Sequence, residues 1–206
     1  MQDQIIGRMD EQRRRNGFLT LAEMAALAET NIVFDPFSTL IARDAVIGEG
    51  NTFFPGVVVQ CDGGECSIGN GSTFYPSTLV IAANGGRIAI GDGCSLGPGG
   101  VQIKANQSGS VLSVGNRARL LNGAELVGSS VIGAGAQVIG AVSAQGVQLA
   151  GGDDFTGPDP DLRGAVLKGT GLARGTRLAA GDVLNGLGDF ATAAVERQLA
   201  YHPRSK

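Results

Sequence analysis

Group-transfer and hydrolytic chemistry needs a positioned base or nucleophile, and few residues here qualify. The chain of 206 residues has one histidine, His202, close to the C-terminus. A tail position lacks the positioning that general-base catalysis demands, so His202 reads as a solvated side chain. Cys61 and Cys66 flank the segment Asp62-Gly63-Gly64-Glu65, and a disulfide across it is geometrically conceivable. With Cys94 they make an odd count without a dense framework, which favours a reducing compartment and small packing roles. No basic partner for a cysteine nucleophile is evident. Gly93-Cys94-Ser95-Leu96-Gly97 matches the G-x-S-x-G string of hydrolases, but that mechanism needs a strand-to-helix elbow and a histidine partner. Gly186-Leu187-Gly188 with Ala191 faintly suggests a dinucleotide fingerprint. It reads better as a stop before a C-terminal helix. Asp153, Asp154, Asp159 and Asp161 would attract a hard cation, yet their spacing matches no EF-hand, and a solvated loop is expected. No metal site is predicted.

A second polar set is periodic. Asp62, Asn84 and Asn106 open three similar Gly-rich segments, with Glu65, Arg87 and Lys104 close by in sequence. Their structural role is Asx hydrogen bonding within turns. Their functional role would be to line a polar cleft. The column Glu49, Asn70, Asp92 and Asn116 reads as a solvated polar edge, although its carboxylates would be able to assist an amine nucleophile.

The elements that hold these residues follow from the composition. Glycine supplies 34 residues, tryptophan none and aromatics only ten (Phe 8, Tyr 2), while 43% of the chain is hydrophobic. Disorder and collagen are excluded, and short buried strands joined by tight turns are favoured. The net charge of −3 argues against a surface that grips nucleic acid. No apolar run reaches the ~18 residues of a membrane span, and the N-terminus lacks the apolar stretch of a secretory signal. Cytoplasm is the expected location.

Ile47-Gly48-Glu49-Gly50 recurs as Ile68-Gly69-Asn70-Gly71 and Ile90-Gly91-Asp92-Gly93, then more loosely at Val114 and Ile132, at spacings of 21, 22, 24 and 18 residues. Beneath this lies a step of six: Ile41, Ile47, Phe53, Val59; Ile68, Phe74, Val80; Ile90, Leu96; then Val114 through Leu120, Leu126, Ile132 and Val138 to Ala144. A last set comprises Val166, Leu172, Leu178, Leu184 and Phe190. A period of six fits neither a helix nor a flat strand. It fits a coil of three short strands, each giving one inward residue, as in a parallel β-helix. The excesses over six, before Ile68, Ile90 and Val114, predict turns protruding from one corner; Pro55, Pro76 and Pro98 mark another. Six or seven coils at about 4.8 Å make a rod roughly 30 Å long. Its ends need covers. Thr20 and Glu23 predict a capping box for a helix over 21–29 with Leu21, Met24, Ala25 and Ala28 on its apolar face. Asp189 would cap a helix over roughly 190–201.

The hexads (aliphatic, small, two variable, small, variable) resemble the hexapeptide-repeat acyltransferase superfamily across roughly 32–150 and 164–190. The resemblance implies an all-β, left-handed parallel β-helix; handedness comes from it alone, since parallel crossovers are normally right-handed. The expected organisation is a helical segment over 1–31, the β-helix over 32–190 with an acidic loop at 151–163, and a C-terminal helix and tail over 191–206. The segment Asn31-Ile32-Val33-Phe34-Asp35-Pro36 also looks like the lead-in to the acetyltransferase domain of sugar-nucleotide biosynthetic enzymes. The resemblance further implies a homotrimer, with acyl-CoA as donor substrate and acceptor bound between rods. Asp62, Glu65, Asn84, Arg87, Lys104 and Asn106 become the candidate cleft residues, and the 151–163 loop would be able to reach a neighbouring rod. Members usually employ a histidine base, which no hexad here supplies, so no catalytic residue is assigned. The γ-class carbonic anhydrases share the fold but bind metal through three histidines, which this chain lacks. Two functions follow: an acyl-CoA-dependent acyltransferase-like protein acting on a sugar or sugar-nucleotide amine, or a non-catalytic β-helical scaffold that has lost the histidine. Neither nucleic acid nor membrane is an expected partner.

Overall fold

The computed structural model describes residues 2–202; Met1 and residues 203–206, part of the expected C-terminal tail, lie outside the described residues. The chain winds as a left-handed parallel β-helix of about eight turns. Each coil lays one strand on each of three faces. Thr52–Phe53, Thr73–Phe74 and Ser95–Leu96 stack on the first face. Val58–Asp62, Thr78–Ala83 and Val101–Ala105 stack on the second, and Glu65–Ile68, Arg87–Ile90 and Val111–Val114 on the third. One coil exposes its inward side chain, so only stacking makes a core. The hexad residues form it: Ile41, Phe53, Val59, Phe74, Val80, Leu96, Leu120, Leu126, Val138 and Ala144 are fully buried. Phe53 and Phe74 stack inside with ring centroids 4.9 Å apart.

The step of six slips in two places. After Leu96 the corner Gly97–Gly100 holds one residue more than the corner after Phe74, so Ile103 rather than Gln102 faces inward, paired with Val80 and Leu126. Beyond the 151–163 loop the register resets: Leu167 and Ala173, rather than Val166 and Leu172, pair with Val138 and Ala144. The strand Val166–Arg174 crosses the first two faces without a corner. Gly169 sits there at φ +122° with the Gly186 carbonyl oxygen 2.0 Å from where a Cβ would be, room for glycine alone.

Inside the corner between the third and first faces runs a buried polar ladder. The Asn51 N–H donates to Asn31 Oδ1 (2.9 Å), the Ser72 N–H to Asn51 Oδ1 (2.8 Å), and the Cys94 N–H to Ser72 Oγ (2.9 Å). These residues occupy the small position of the hexad, and they satisfy backbone groups that a corner removes from the strand ladders.

Helices α1 (Gln2–Arg15) and α2 (Leu21–Leu27) cover the N-terminal coil. The capping box forms: the Glu23 N–H donates to Thr20 Oγ1 (3.2 Å) and the Thr20 N–H to Glu23 Oε2 (2.8 Å). Helix α2 is shorter than expected; Met24 is buried while Ala25 and Ala28 are exposed. The C-terminal helix does not form. Phe190–Thr192 and Gln198–Ala200 are single 3₁₀ turns flanking Val195–Arg197, which pairs antiparallel with Asp182–Leu184 and closes the open sheet edge there. Backbone pairing with the last coil outweighs the weak helical pattern. Gly186–Gly188 lie inside the strand Asp182–Asp189 rather than before a helix. Among the described residues, no helix is long and apolar enough to cross a membrane.

Candidate functional site

The three Gly-rich turns protrude from the corner between the second and third faces and stack as expected. The Asn84 N–H donates to the Asp62 carbonyl (3.0 Å), and Asn84 Nδ2 to the Asn106 carbonyl (3.1 Å). Asn84 takes φ 53°, a left-handed conformation that Asn adopts more readily than most residues. Asp62, Asn84 and Asn106 therefore build the turns.

The other three candidates divide across that corner. Lys104 points out from the second face, where its Nζ lies 3.0 Å from Glu125 Oε1 and holds that carboxyl below its ordinary range. Glu65 and Arg87 are register partners at the start of the third face. They rim a groove of about 390 Å³ whose wall also includes Asp44, Val46, Ala89 and Val111.

The groove has a sequence cause. The outward column of the third face reads Val46, Ser67, Ala89, Ser113, Val131, Gln148 and Arg177. Small residues on three successive coils leave a trough between the rows beside them. Farther along the same face a second hollow of about 530 Å³ is lined by Val131, Gln148, Ala150 and Arg177. Arg87 and Arg177 lie four strands apart, about 19 Å at ordinary strand spacing. Among the described residues neither enters an ion pair. The signal for this trough was present in the sequence, one residue before each inward hexad position.

The column Glu49, Asn70, Asp92 and Asn116 is a hydrogen-bonded ladder. Asn70 Oδ1 accepts from the Glu49 N–H (2.8 Å), Asp92 Oδ1 from the Asn70 N–H (2.7 Å), and Asn116 Oδ1 from the Asp92 N–H (3.0 Å). Its side-chain oxygens tie adjacent coils together. Ser95 lies in a strand paired on both sides, with Leu96 inward, so Gly93–Gly97 forms no nucleophile elbow. His202 is exposed beyond the last strand, at the rod's C-terminal end.

The acidic loop folds against its own rod. Arg119 lies 4.0 Å over the Phe155 ring, Asp154 lies 3.7 Å from Arg117, and Arg163 Nε donates to the Gly157 carbonyl (2.7 Å). Asp159 caps the turn Pro160–Leu162, and Asp161 lies 3.5 Å from Arg197. Among the described residues no group of three or more His, Cys, Asp or Glu side chains converges as a metal site would require.

No protein-family model and no curated protein matches the chain. Among solved structures it is similar to a mutant perosamine N-acetyltransferase from Caulobacter crescentus in complex with CoA and GDP-perosamine: 18% identity, TM-score 0.34, 85% of this chain and 63% of that one. It is similar to the UDP-N-acetylglucosamine acyltransferase of Arabidopsis at 15% identity and TM-score 0.36, over 82% of this chain and 76% of that one. For LpxA from Acinetobacter baumannii the identity is 15% and the TM-score 0.30, over 86% and 77%. The chain thus spans less than two thirds of the length of the perosamine enzyme.

Proposed function

We propose that the third face binds acyl-CoA and that the protein is an acyl-CoA-dependent acyltransferase acting on a sugar or sugar-nucleotide amine. The observation that carries this reading is the pair of hollows on this face: small side chains floor the first, beside Arg87, and Arg177 lines the second about 19 Å along the rod, with Val131 and Gln148 between them. Unpaired guanidinium groups suit phosphate, and a narrow apolar floor suits an extended acyl-pantetheine chain. In the reaction the acceptor amine attacks the thioester carbonyl carbon, the C–S bond breaks, and CoA leaves as the thiolate. The surplus amine proton passes to Glu65 or to solvent, and positioning supplies much of the acceleration. A second rod against this face, as in a homotrimer, would roof the trough, and a cytoplasmic location would supply the donor.

The second reading, a non-catalytic scaffold, is favoured by the placement of the one histidine beyond the last strand and outside every hexad. Calorimetric titration with acetyl-CoA and longer acyl-CoAs separates the two. Saturable binding at one site per chain, abolished by Ala89→Trp and weakened about tenfold by Arg87→Gln, supports the transferase reading. Ala89 points outward, so its replacement fills the trough without entering the core. No heat and no thermal stabilisation by any acyl-CoA selects the scaffold.

A further inference from the structure

We propose that Cys61 and Cys66 form a redox-active dithiol that closes to an intramolecular disulfide on reaction with a peroxide-class oxidant. The proposal is independent of the acyl-CoA reading and rests on register. Cys61 pairs with Ala82, which pairs with Ala105; Cys66 pairs with Ile88, which pairs with Leu112. All four partners are buried, so both cysteines occupy inward columns, on opposite sides of one corner. The turn Asp62-Gly63-Gly64-Glu65 folds one column back on the other, so the two thiols face each other across the corner and interact.

This coil also has an open side. Ile41 and Ile47 are six residues apart in the coil above, whereas Val59 and Ile68 are nine apart, so the turn overhangs its upper neighbour. Cys61 is accordingly half-exposed while Cys66 is 3% exposed. In the next two coils the same columns carry Ala82, Ile88, Ala105 and Leu112, so sulfur sits only where solvent reaches the corner.

The chemistry divides between the two. The contact between the two thiols lowers the Cys61 pKa against the opposing effects of burial and Asp44; the same contact and burial push Cys66 up. Cys61, the thiol that solvent reaches while Cys66 is buried, is the attacking thiolate. Its sulfur attacks the peroxide O–O bond, giving a sulfenic acid and releasing hydroxide, or alkoxide from an organic peroxide. Cys66 then attacks the Cys61 sulfur, the S–O bond breaks, and the departing hydroxide takes the Cys66 proton to leave as water. Overall two thiols lose two hydrogens as the peroxide is reduced. Cys94 stands apart, buried, with its S–H on the Gly115 carbonyl at 3.2 Å, and serves as an internal control.

The test is hydrogen peroxide treatment of the folded protein, then denaturation, alkylation and intact-mass measurement. The reduced chain takes three alkyl groups; the oxidised chain is expected to take one, at Cys94, with the unalkylated mass lower by two hydrogens. Cleavage after Glu65 should leave the two halves joined until a reductant is added. Cys66→Ser should trap Cys61 as a sulfenic acid that dimedone captures, while Cys61→Ser should leave Cys66 unmodified. Three alkyl groups after oxidation would overturn the proposal. So would a disulfide linking two chains, or a Cys61 sulfinic acid beside a free Cys66 in the unsubstituted protein.

Discussion

Arg13→Met should release the N-terminal cover from the rod. The Arg13 side chain is buried, and its guanidinium donates from Nη1 to the Leu19 carbonyl (3.0 Å) and from Nη2 to those of Pro36 (2.7 Å), Phe37 (3.1 Å) and Thr39 (3.2 Å). Burial lowers its pKa while Asp10 and Asp35 oppose that shift, and the group stays cationic. The two Nη2 hydrogens are shared among three carbonyls, so about three directed bonds are lost at about 1–1.5 kcal/mol each. Methionine retains much of the apolar stem, and water reaches some of the freed carbonyls, which places the expected loss near 3 kcal/mol. Because a solenoid's stability is local, the loss should fall on the first coil. Hydrogen exchange measures it by residue. The amides of Leu19, Leu40 and Ala42, bonded to Ile41, Val57 and Val59, should lose about 100-fold in protection, with those from Ser95 to Leu126 unchanged. Protection unchanged within about threefold at Leu19–Ala42 would refute the reasoning, and so would an equal loss along the whole rod.

Four further outcomes are expected. Phe74→Ala should cost about 3–5 kcal/mol in urea unfolding, since it leaves a cavity beneath Phe53 in a core with no second layer to collapse into it. Gly86→Ala should abolish soluble folding or cost well over 3 kcal/mol, roughly the scale of a severe core lesion, because its Cβ would lie 1.9 Å from the Ala105 carbonyl oxygen. Gly63→Ala, with open space around it and φ +63°, should cost only about 1–2 kcal/mol of backbone strain. Hydrogen bonds from Arg43 and Thr20 pull the Glu23 carboxyl from 4.5 down to about 2. Its contribution to the cover is therefore complete above about pH 4.5 and lost as pH falls through about 2. The melting-temperature gap between the protein and Glu23→Gln should narrow from pH 5 to pH 2; a constant gap would mean that the carboxylate plays no part.

The coil was legible because the rule that makes it is local and repeated. An inward apolar residue every sixth position, with small residues at the corners, allows no other period, and Ile41 through Val80 obey it except at the one protruding turn between Val59 and Ile68. Where the rule failed, the cause lay in residues whose pattern carries no periodic signal. One additional residue between Leu96 and Ile103 moves the inward position, and the 151–163 loop discards the register altogether, so Val166 and Leu172 were misplaced by one. The C-terminal segment was read as a helix because pairing with Asp182–Leu184 is a tertiary choice that propensity does not encode. The candidate site was half legible. Stacking of Asp62, Asn84 and Asn106 followed from turn spacing, but separation of Lys104 from Glu65 and Arg87 depends on which side of a corner each strand leaves. Arg13 was hidden among three consecutive arginines, of which only the first is buried.

The polar ladder of Asn31, Asn51, Ser72 and Cys94 makes successive coils interchangeable. Asn51 and Ser72 each present a side-chain oxygen to an N–H of the coil after and direct their own N–H to the coil before, so such a rung matches whichever neighbour carries the same hexad. Excision of residues 69–90 would join Ile68 to Gly91, bring the Cys94 N–H onto Asn51 and seat Leu96 beneath Phe53. The rod would shorten by about 4.8 Å with its remaining faces still in register. Length in this molecule is a discrete quantity: a gene can change it by whole coils, and each face gains or loses one strand without being redesigned.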